Sequence, residues 1–411
     1  MKMLSFLFSN VSLRQTVMKN AFWLAVSYGI TRFLKLGVVI LAARILGPAG
    51  YGSFSYALSL VGAFFIFSDL GIGTLAVREY HGRLGRPALL STARSLKVAS
   101  AVFFGALAFV GYAFSCVPGP LFGFVVMLLV VSHIRDFSVS ILRGMQKMEY
   151  EFVVNLLESG TVLVGTYFLL NAHPFPETLA AMYALGAFVS LIASLWFARN
   201  GVREAPFSWD EAAWLLRNGF PMALFGLTSF LFFSADQILI GFFGDAADVG
   251  QYAVAARIVA AAAVIPAFLS SAVFPALSER GGDPAFRRRV FSRMISALFA
   301  GGIVVALILS LAAGFLIPLL FGPGYVPAVG VFRLLVWMLI FIFPASFLDY
   351  FLFSRNRQLA DFIATLGAGI ANVILGIVLI PAYGIHGAAF ASLIAQAANF
   401  AVTYRYARTV L

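Results

Sequence analysis

Two cations in the first long apolar run have the types and the spacing to bind an anion. Arg32 and Lys35 lie within "AFWLAVSYGITRFLKLGVVIL" (21–41). On a helix, residues three apart share one face, and both would lie about 15–20 Å from the start of the run. We expect them to form an anion-binding patch that faces a central cavity. Two alternatives stay open, which are neutralisation by acids on neighbouring segments and snorkelling of both side chains towards water.

A carboxylate stands in another apolar run, "FGLTSFLFFSADQILIGFF" (225–243). Asp236 lies near the end of this run, and Arg257 lies at a similar depth in the next one. An ionised group among apolar surroundings costs several kcal/mol unless it is paired or faces water. The sequence therefore predicts either an ion pair between Asp236 and Arg257 or a site at Asp236 for a coupling proton or sodium ion.

Other ionisable residues give weaker signals. Arg333 is a candidate for substrate binding or for interfacial snorkelling, and Arg257 is a second candidate for substrate binding. For Asp69, Glu158 and Asp349 we expect locking between helices, gate contacts or ion coupling. No catalytic residue, cofactor or metal ligand is predicted.

The elements that must position these residues follow from composition. The chain has 411 residues, of which 62% are hydrophobic and 11% are charged, whereas a soluble domain carries roughly 25% charged residues. The apolar runs approach or exceed the ~20 residues that a spanning helix needs and lack the alternation of barrel strands. The sequence predicts an all-α polytopic membrane protein with about twelve transmembrane helices, at residues 21–43, 52–76, 95–115, 119–141, 151–170, 177–198, 218–242, 250–275, 292–320, 327–353, 359–380 and 385–407.

The basic residues are concentrated in alternate joints between the runs. The net charge is +11, and the odd-numbered joint "GDAADVG" (244–250) is acidic. By the positive-inside rule this bias predicts that both termini lie in the cytoplasm. We expect the protein to span the cytoplasmic (inner) membrane. The basic residues of the even-numbered joints are Arg78, Arg83, Arg86, Arg94, Lys97, Arg143, Lys147, Arg199, Arg203, Arg217, Arg280, Arg287, Arg288, Arg289, Arg293, Arg355 and Arg357.

The N-terminal segment and the cysteine content add two constraints. Residues 1–20 lack a long apolar stretch followed by a small-residue cleavage site, so we expect a retained cytoplasmic amphipathic segment. The one cysteine, Cys116, rules out an intramolecular disulfide and disfavours a cysteine-built metal site.

The chain contains a weak internal repeat. Residues 20–33 align with residues 218–231 at an offset that also pairs Gly52 with Gly250. Six spans per half return the chain to the same side, so the repeats would be parallel. We predict two six-helix bundles, 1–200 and 201–411, joined by a linker at about 199–219.

The missing motifs favour transport over catalysis. The sequence has no GxxxxGK[ST] motif for ATP, and no predicted joint is long enough for a soluble catalytic domain. The four histidines, at positions 81, 133, 173 and 386, are scattered. A lipid-linked sugar polymerase or ligase and a non-transporting scaffold fit these features less well.

Four stretches resemble the polysaccharide transporter branch of the MOP flippase superfamily, the Wzx type. They are "VVILAARILGPAGYGSFSYALSL" (38–60), "DLGIGTLAVRE" (69–79), "ADQILIGFFGDAADVGQYAVAARI" (235–258) and "IPAYGIHGAAFASLIAQ" (380–396). The stretches touch both halves of the chain and occur in the family's order.

The resemblance implies a flippase that moves undecaprenyl-pyrophosphate-linked oligosaccharide from the inner to the outer leaflet by alternating access. It implies two bundles around a central cavity whose cations bind pyrophosphate or acidic sugars. Arg32 and Lys35 would take that role first, with Arg257 and Arg333 as helpers. Implied partners are the lipid-linked oligosaccharide, membrane lipids, a polysaccharide polymerase and other assembly proteins, and no nucleic acid. The alternatives are a MATE-like cation-coupled multidrug exporter, for which an acidic cavity is expected, and a lipid II flippase, which commonly has fourteen spans.

Overall fold

The structure is a computed structural model that describes residues 13–80, 87–113, 117–202, 204–280, 283–355 and 357–411. The predictions for residues 1–12, Arg83, Arg86, Arg203 and Cys116 concern positions outside this part of the chain, as does the side chain of Arg280. The helices are α1 Leu13–Phe65, α2 Ile72–Glu79, α3 Pro87–Tyr112, α4 Gly119–Gly144, α5 Met148–Gly165, α6 Pro176–Ala198, α7 Trp209–Phe233, α8 Ala235–Phe243, α9 Ala246–Ala262, α10 Val264–Arg280, α11 Pro284–Phe321, α12 Ala328–Leu335, α13 Leu339–Ser354 and α14 Gln358–Thr409.

One π-helical segment and two 3-10 segments lie next to these α-helices. A π-helical turn, Thr166–Leu170, continues α5, and 3-10 turns at Pro323–Tyr325 and Val336–Met338 flank α12. Within the described ranges all regular secondary structure is helical, which confirms the predicted all-α class.

The two longest helices are each interrupted by a glycine. Helices α1 and α14 have 53 and 52 residues, about 80 Å of helix, which is more than twice the thickness of the hydrocarbon core. Gly47 in α1 has φ 66° and is followed by Pro48, and Gly384 in α14 has φ 57°. Glycine adopts this left-handed conformation without a steric penalty, so each long helix contains two spans.

The number of spans agrees with the sequence prediction. Nine helices of the described residues are long and apolar enough to cross a membrane, and a pair bent by 43° within α7 forms one more span. When α1 and α14 are each counted as two spans, the total becomes the predicted twelve.

The chain divides into two compact units. The first comprises residues 1–46 and 60–226, and the second comprises residues 47–59 and 227–411. These limits differ from the predicted halves, 1–200 and 201–411. The halves were inferred from the internal repeat and stay a prediction. The linker falls in the first unit, and not at the predicted boundary, because Glu204 and Ala205 accept hydrogen bonds from side chains of α3.

The linker contacts that cause this difference are polar. Arg94 donates to both carboxylate oxygens of Glu204, at 2.9 and 2.7 Å, and these bonds lower the pKa of Glu204. Ser91 donates to the carbonyl of Ala205 at 2.9 Å, and the amide of Ser208 donates to Thr92 at 3.1 Å. The linker is therefore part of the first unit.

Candidate functional site

The first unit carries the cations predicted to bind an anion. Arg32 and Lys35 lie near the middle of the α1 segment before Gly47, and both are exposed. The Arg32 guanidinium lies 6.0 Å from the ring centroid of Tyr28, one turn earlier. Among the described residues Arg32 has no acidic partner, so its charge is available to a ligand.

Glu158 of α5 lies behind Lys35 and contacts two cations. One of its oxygens is 3.5 Å from Lys35 Nζ, and the other accepts a hydrogen bond from Arg135 of α4. Arg135 also binds Asp136 at 2.7 Å. The side chain of Lys35 is 52% exposed whereas that of Arg135 is 12% exposed. Glu158 therefore holds Arg135 firmly and Lys35 loosely, and Lys35 keeps an open side towards solvent or ligand.

Another ion pair lies in the same unit. Lys97 of α3 is 1% exposed and forms an ion pair with Asp69, which lies in the turn after α1. Lys97 lies at the edge of a basic joint and within the predicted run 95–115, and the structure places it inside α3. The ring of His133 lies 4.9 Å from that of Phe65 in a tilted arrangement, and its Nδ1 donates to the carbonyl of Leu129 at 2.9 Å. The Lys97–Asp69 pair gives α3 and the end of α1 a fixed contact.

The second unit encloses Asp236 among neutral donors. The helix breaks at Ser234, between α7 and α8, so that Asp236 begins the first turn of α8. Its Oδ2 accepts from Tyr252 at 2.5 Å and from Ser392 at 2.6 Å, and its Oδ1 accepts from Asn372 at 2.8 Å. Asp236 is 1% exposed.

The predicted ion pair between Asp236 and Arg257 is wrong. Arg257 points to the exposed side of α9, and no cation of the described residues lies within ion-pair distance of Asp236. Residues at similar depth on consecutive helices can face away from each other, which depth alone does not reveal. The side-chain oxygen of Asn372 is buried beside Asp236 without a hydrogen-bond donor. An acidic oxygen and a free amide oxygen could together accept a proton or a small cation.

The remaining predicted residues occupy separate places in the second unit. Arg333 of α12 is exposed and donates to the carbonyl of Ser310 in α11 at 3.4 Å. Asp349 of α13 and Asp361 of α14 are neighbouring carboxyl groups that interact electrostatically. Sequence reasoning missed Asp361, although its place at the start of the eleventh apolar run was a signal.

No group of three or more metal-ligating side chains occurs in the part of the chain that the structure describes. The chain instead offers two candidate sites. Arg32 with Lys35 could bind an anionic group, and Asp236 with Asn372 could accept a cation or proton. These are two different chemistries in two different units.

The chain is similar in sequence to proteins that take part in polysaccharide biosynthesis. The family described as "Polysaccharide biosynthesis protein" matches residues 17–280. A Shigella flexneri protein named as an O-antigen transporter is 23% identical over 75% of this chain and 78% of its own length. A Haloferax volcanii protein named as a low-salt glycan biosynthesis flippase is 21% identical over 90% of this chain and 79% of its own length.

Solved structures show the same fold at low identity. The lipid II flippase MurJ, in an inward closed conformation, aligns with a TM-score of 0.76 at 16% identity over 93% of this chain and 87% of its own. An inward-facing multidrug resistance MATE transporter of the MOP superfamily aligns with a TM-score of 0.71 at 15% identity over 95% of this chain and 97% of its own.

Proposed function

Because the chain belongs to the polysaccharide biosynthesis protein family, we propose that it is a Wzx-type flippase of the MOP superfamily. Its substrate is undecaprenyl-pyrophosphate-linked oligosaccharide, which it moves from the inner to the outer leaflet for polysaccharide biosynthesis. The names of the two curated relatives support transport of a lipid-linked glycan. The MOP-type fold supports alternating access as the mechanism.

The observation that carries the proposal is the exposed cationic pair at mid-depth of α1. An arginine that faces hydrocarbon at such depth is strongly unfavourable, so Arg32 and Lys35 are expected to face a water-filled path. Pyrophosphate is a dense anion for which guanidinium and ammonium groups replace hydrating water. The pair therefore suits the head group, while the polyprenyl tail stays in lipid.

Glu158 gives this patch a way to release its ligand. In the empty site the carboxylate neutralises part of the Lys35 charge at 3.5 Å. An arriving pyrophosphate competes with Glu158 for Lys35, and Glu158 retains Arg135 as its second partner. Competition of this kind limits the affinity, which a transporter needs because its substrate must also leave.

The energy source is proposed to be a gradient, because the chain has no ATP motif. Asp236 in its neutral shell is the candidate for a coupling proton or sodium ion. The neighbouring carboxyl groups of Asp349 and Asp361 are a second candidate. Arg257 and Arg333 are exposed cations that we assign as secondary contacts of the moving head group.

The chain is a multi-pass membrane protein, and we place it in the inner membrane with both termini cytoplasmic. The positive-inside bias supports this orientation. A polymerase that consumes the flipped oligosaccharide and other assembly proteins are the expected partners.

The first test is glycan export in a cell that lacks this gene, complemented with wild type or with Arg32→Ala/Lys35→Ala. Each lost charged hydrogen bond is worth about 1.5–3 kcal/mol, so the double variant should reduce export by at least roughly a hundredfold. Lipid-linked oligosaccharide should accumulate on the inner leaflet. The charge-conserving variant Arg32→Lys/Lys35→Arg should retain much of the activity.

The control is Arg217→Ala, which removes another exposed arginine of the first unit. It should export glycan like the wild type, and all variants should reach the membrane in equal amounts. Poor insertion of both double variants would assign the pair a structural role and overturn the proposal. Normal export in the absence of the gene, together with altered drug resistance, would favour a MATE-like exporter, and loss of lipid II transport would favour a lipid II flippase.

A further inference from the structure

A groove lies between the N-terminal part of α11 and the C-terminal end of α14, both in the second unit. It encloses about 370 Å³, within the range of small-molecule sites. Its walls are formed by Arg288, Phe291, Ser292 and Ser296 of α11 and by Tyr404 and Arg408 of α14. Arg288, Ser292 and Ser296 are spaced by four residues and Phe291 lies three residues after Arg288, so these residues form one face of that helix. None of them belongs to the sites described above.

The rim of the groove carries two exposed arginines, and Leu411 also lines the groove. Arg288 and Arg408 are exposed, and within the described ranges neither has an acidic partner. Arg287, by contrast, donates to the main-chain oxygen of Leu411 at 2.9 Å. The nearby acid Asp283 accepts from the amides of Ala285 and Phe286 at the start of α11. Two arginines with nearby serine hydroxyls are a donor set for a phosphate.

The floor of the groove is aromatic and well packed. Phe291 is 4% exposed, and its ring centroid lies 5.8 Å from that of Tyr404 and 5.0 Å from that of Phe351. These contacts fix the distance between α11 and α14 beneath the arginines. The groove is therefore built into the fold of the second unit.

An apolar track leads away from the groove along α11. Ile303 and Leu307 are exposed, and they lie seven and eleven residues after Ser296, which places them on its face of the helix. Their positions within the apolar part of α11 suit contact with an acyl chain. A ligand with a phosphate at one end and hydrocarbon at the other would match both parts.

We propose that this groove binds the phosphate head group of an anionic phospholipid in the leaflet on the basic side of the membrane. The leaflet is the cytoplasmic one if the orientation proposed above is right. Basic pockets between transmembrane helices on that side suit such head groups. A bound lipid would bridge α11 and α14 and stabilise the second unit by binding the folded state.

The test measures the thermal stability of the purified full chain in detergent as phosphatidylglycerol is added. Phosphatidylcholine, inorganic pyrophosphate and undecaprenyl pyrophosphate are added in parallel. The wild type should be stabilised by phosphatidylglycerol in a saturable manner and not by phosphatidylcholine. In Arg288→Gln/Arg408→Gln the half-saturating concentration should rise about tenfold or more, because each arginine near the surface contributes about 1 kcal/mol.

The matched control is Arg289→Gln/Arg405→Gln, which removes the same charge from the same two helices at exposed positions outside the groove. It should respond to phosphatidylglycerol like the wild type. If the first variant does not fold, Ser292→Leu/Ser296→Leu fills the groove and leaves the charge unchanged, and it should also lose the response.

Equal responses of the groove variant and the control would overturn the proposal, because the effect would then be one of general charge. Stabilisation by undecaprenyl pyrophosphate alone would overturn it as well and assign the groove to the transported substrate. Stabilisation by inorganic pyrophosphate alone would assign it to a free anion. None of these outcomes bears on the export test of Arg32 and Lys35.

Discussion

Asp236 has a setting that is unusual for a charged side chain. Its three hydrogen-bond partners, Tyr252, Asn372 and Ser392, are all neutral. Burying a carboxylate without a cation is costly, even when neutral donors satisfy its oxygens. A buried carboxylate that no cationic side chain neutralises suits a group that binds and releases a proton or cation during the transport cycle.

Asp236→Asn separates this role from a structural one. The amide has the same shape and carries no charge, so the thermal stability should be unchanged or raised by a few °C. Glycan export should fall about tenfold or more if Asp236 binds the coupling ion. The measurements are the melting temperature of the purified variant and export in complemented cells.

Tyr252→Phe serves as the comparison, since it removes one donor and keeps the carboxylate. It should lower the stability by about 1–3 kcal/mol and leave most of the transport. Full export by Asp236→Asn would show that the carboxylate has no part in coupling.

At the scale of the helices, the backbone of α1 after the break at Gly47 closely approaches the backbone of α9. A Cβ atom on Gly52 would overlap the carbonyl oxygen of Ala246, and one on Gly250 would overlap the carbonyl oxygen of Pro48. The two glycines are the positions that the internal repeat aligns. Their lack of side chains allows the start of the second span to pack directly on α9.

Gly52→Ala should therefore destabilise the protein, by about 1–3 kcal/mol or more, because the added methyl group forces the backbones apart. Gly250→Ala should act in the same direction. The matched control is Gly62→Ala in the same helix, where a Cβ would meet nothing within 4 Å. That change should be neutral or stabilise by up to about 1 kcal/mol. Unfolding of the three purified variants by heat decides the matter, and equal stability of Gly52→Ala and Gly62→Ala would refute the close approach.

For the molecule as a whole, the uneven distribution of its +11 charge sets the expected orientation. The arginines at the start of α11 lie on the basic side, whereas His173 lies exposed in the joint between α5 and α6. In an inner-membrane protein with cytoplasmic termini, the arginines at the start of α11 face the cytoplasm and His173 faces the outside.

Cysteine labelling of whole cells tests that orientation. In a Cys116→Ser background, His173→Cys should react with a membrane-impermeant maleimide added from outside. Arg289→Cys should react only after the cells are opened. The opposite pattern would invert the topology, and with it the assignment of the basic groove to the cytoplasmic leaflet.

The sequence predicted the features that depend on local composition. The apolar runs and the mid-run cations Arg32 and Lys35 were visible because each departs from its immediate neighbours. The partners were not visible. Asp236 finds Asn372 and Ser392 on α14, and no pattern within one span indicates which faces of distant helices meet. The same limit explains why Arg257 was wrongly paired with Asp236.

The order of synthesis along the chain determines the time between the synthesis of the two members of each ion pair. Asp69 precedes Lys97 by 28 residues, so this pair can form as soon as Lys97 is made. Lys35, however, is made 123 residues before Glu158, which corresponds to roughly 6–25 s at 5–20 residues per second. During that time Lys35 carries an insertion cost of about 2.5–3.5 kcal/mol without its partner. The first span is therefore expected to stay at the insertion machinery, or to stay incompletely inserted, until the fifth span emerges from the ribosome.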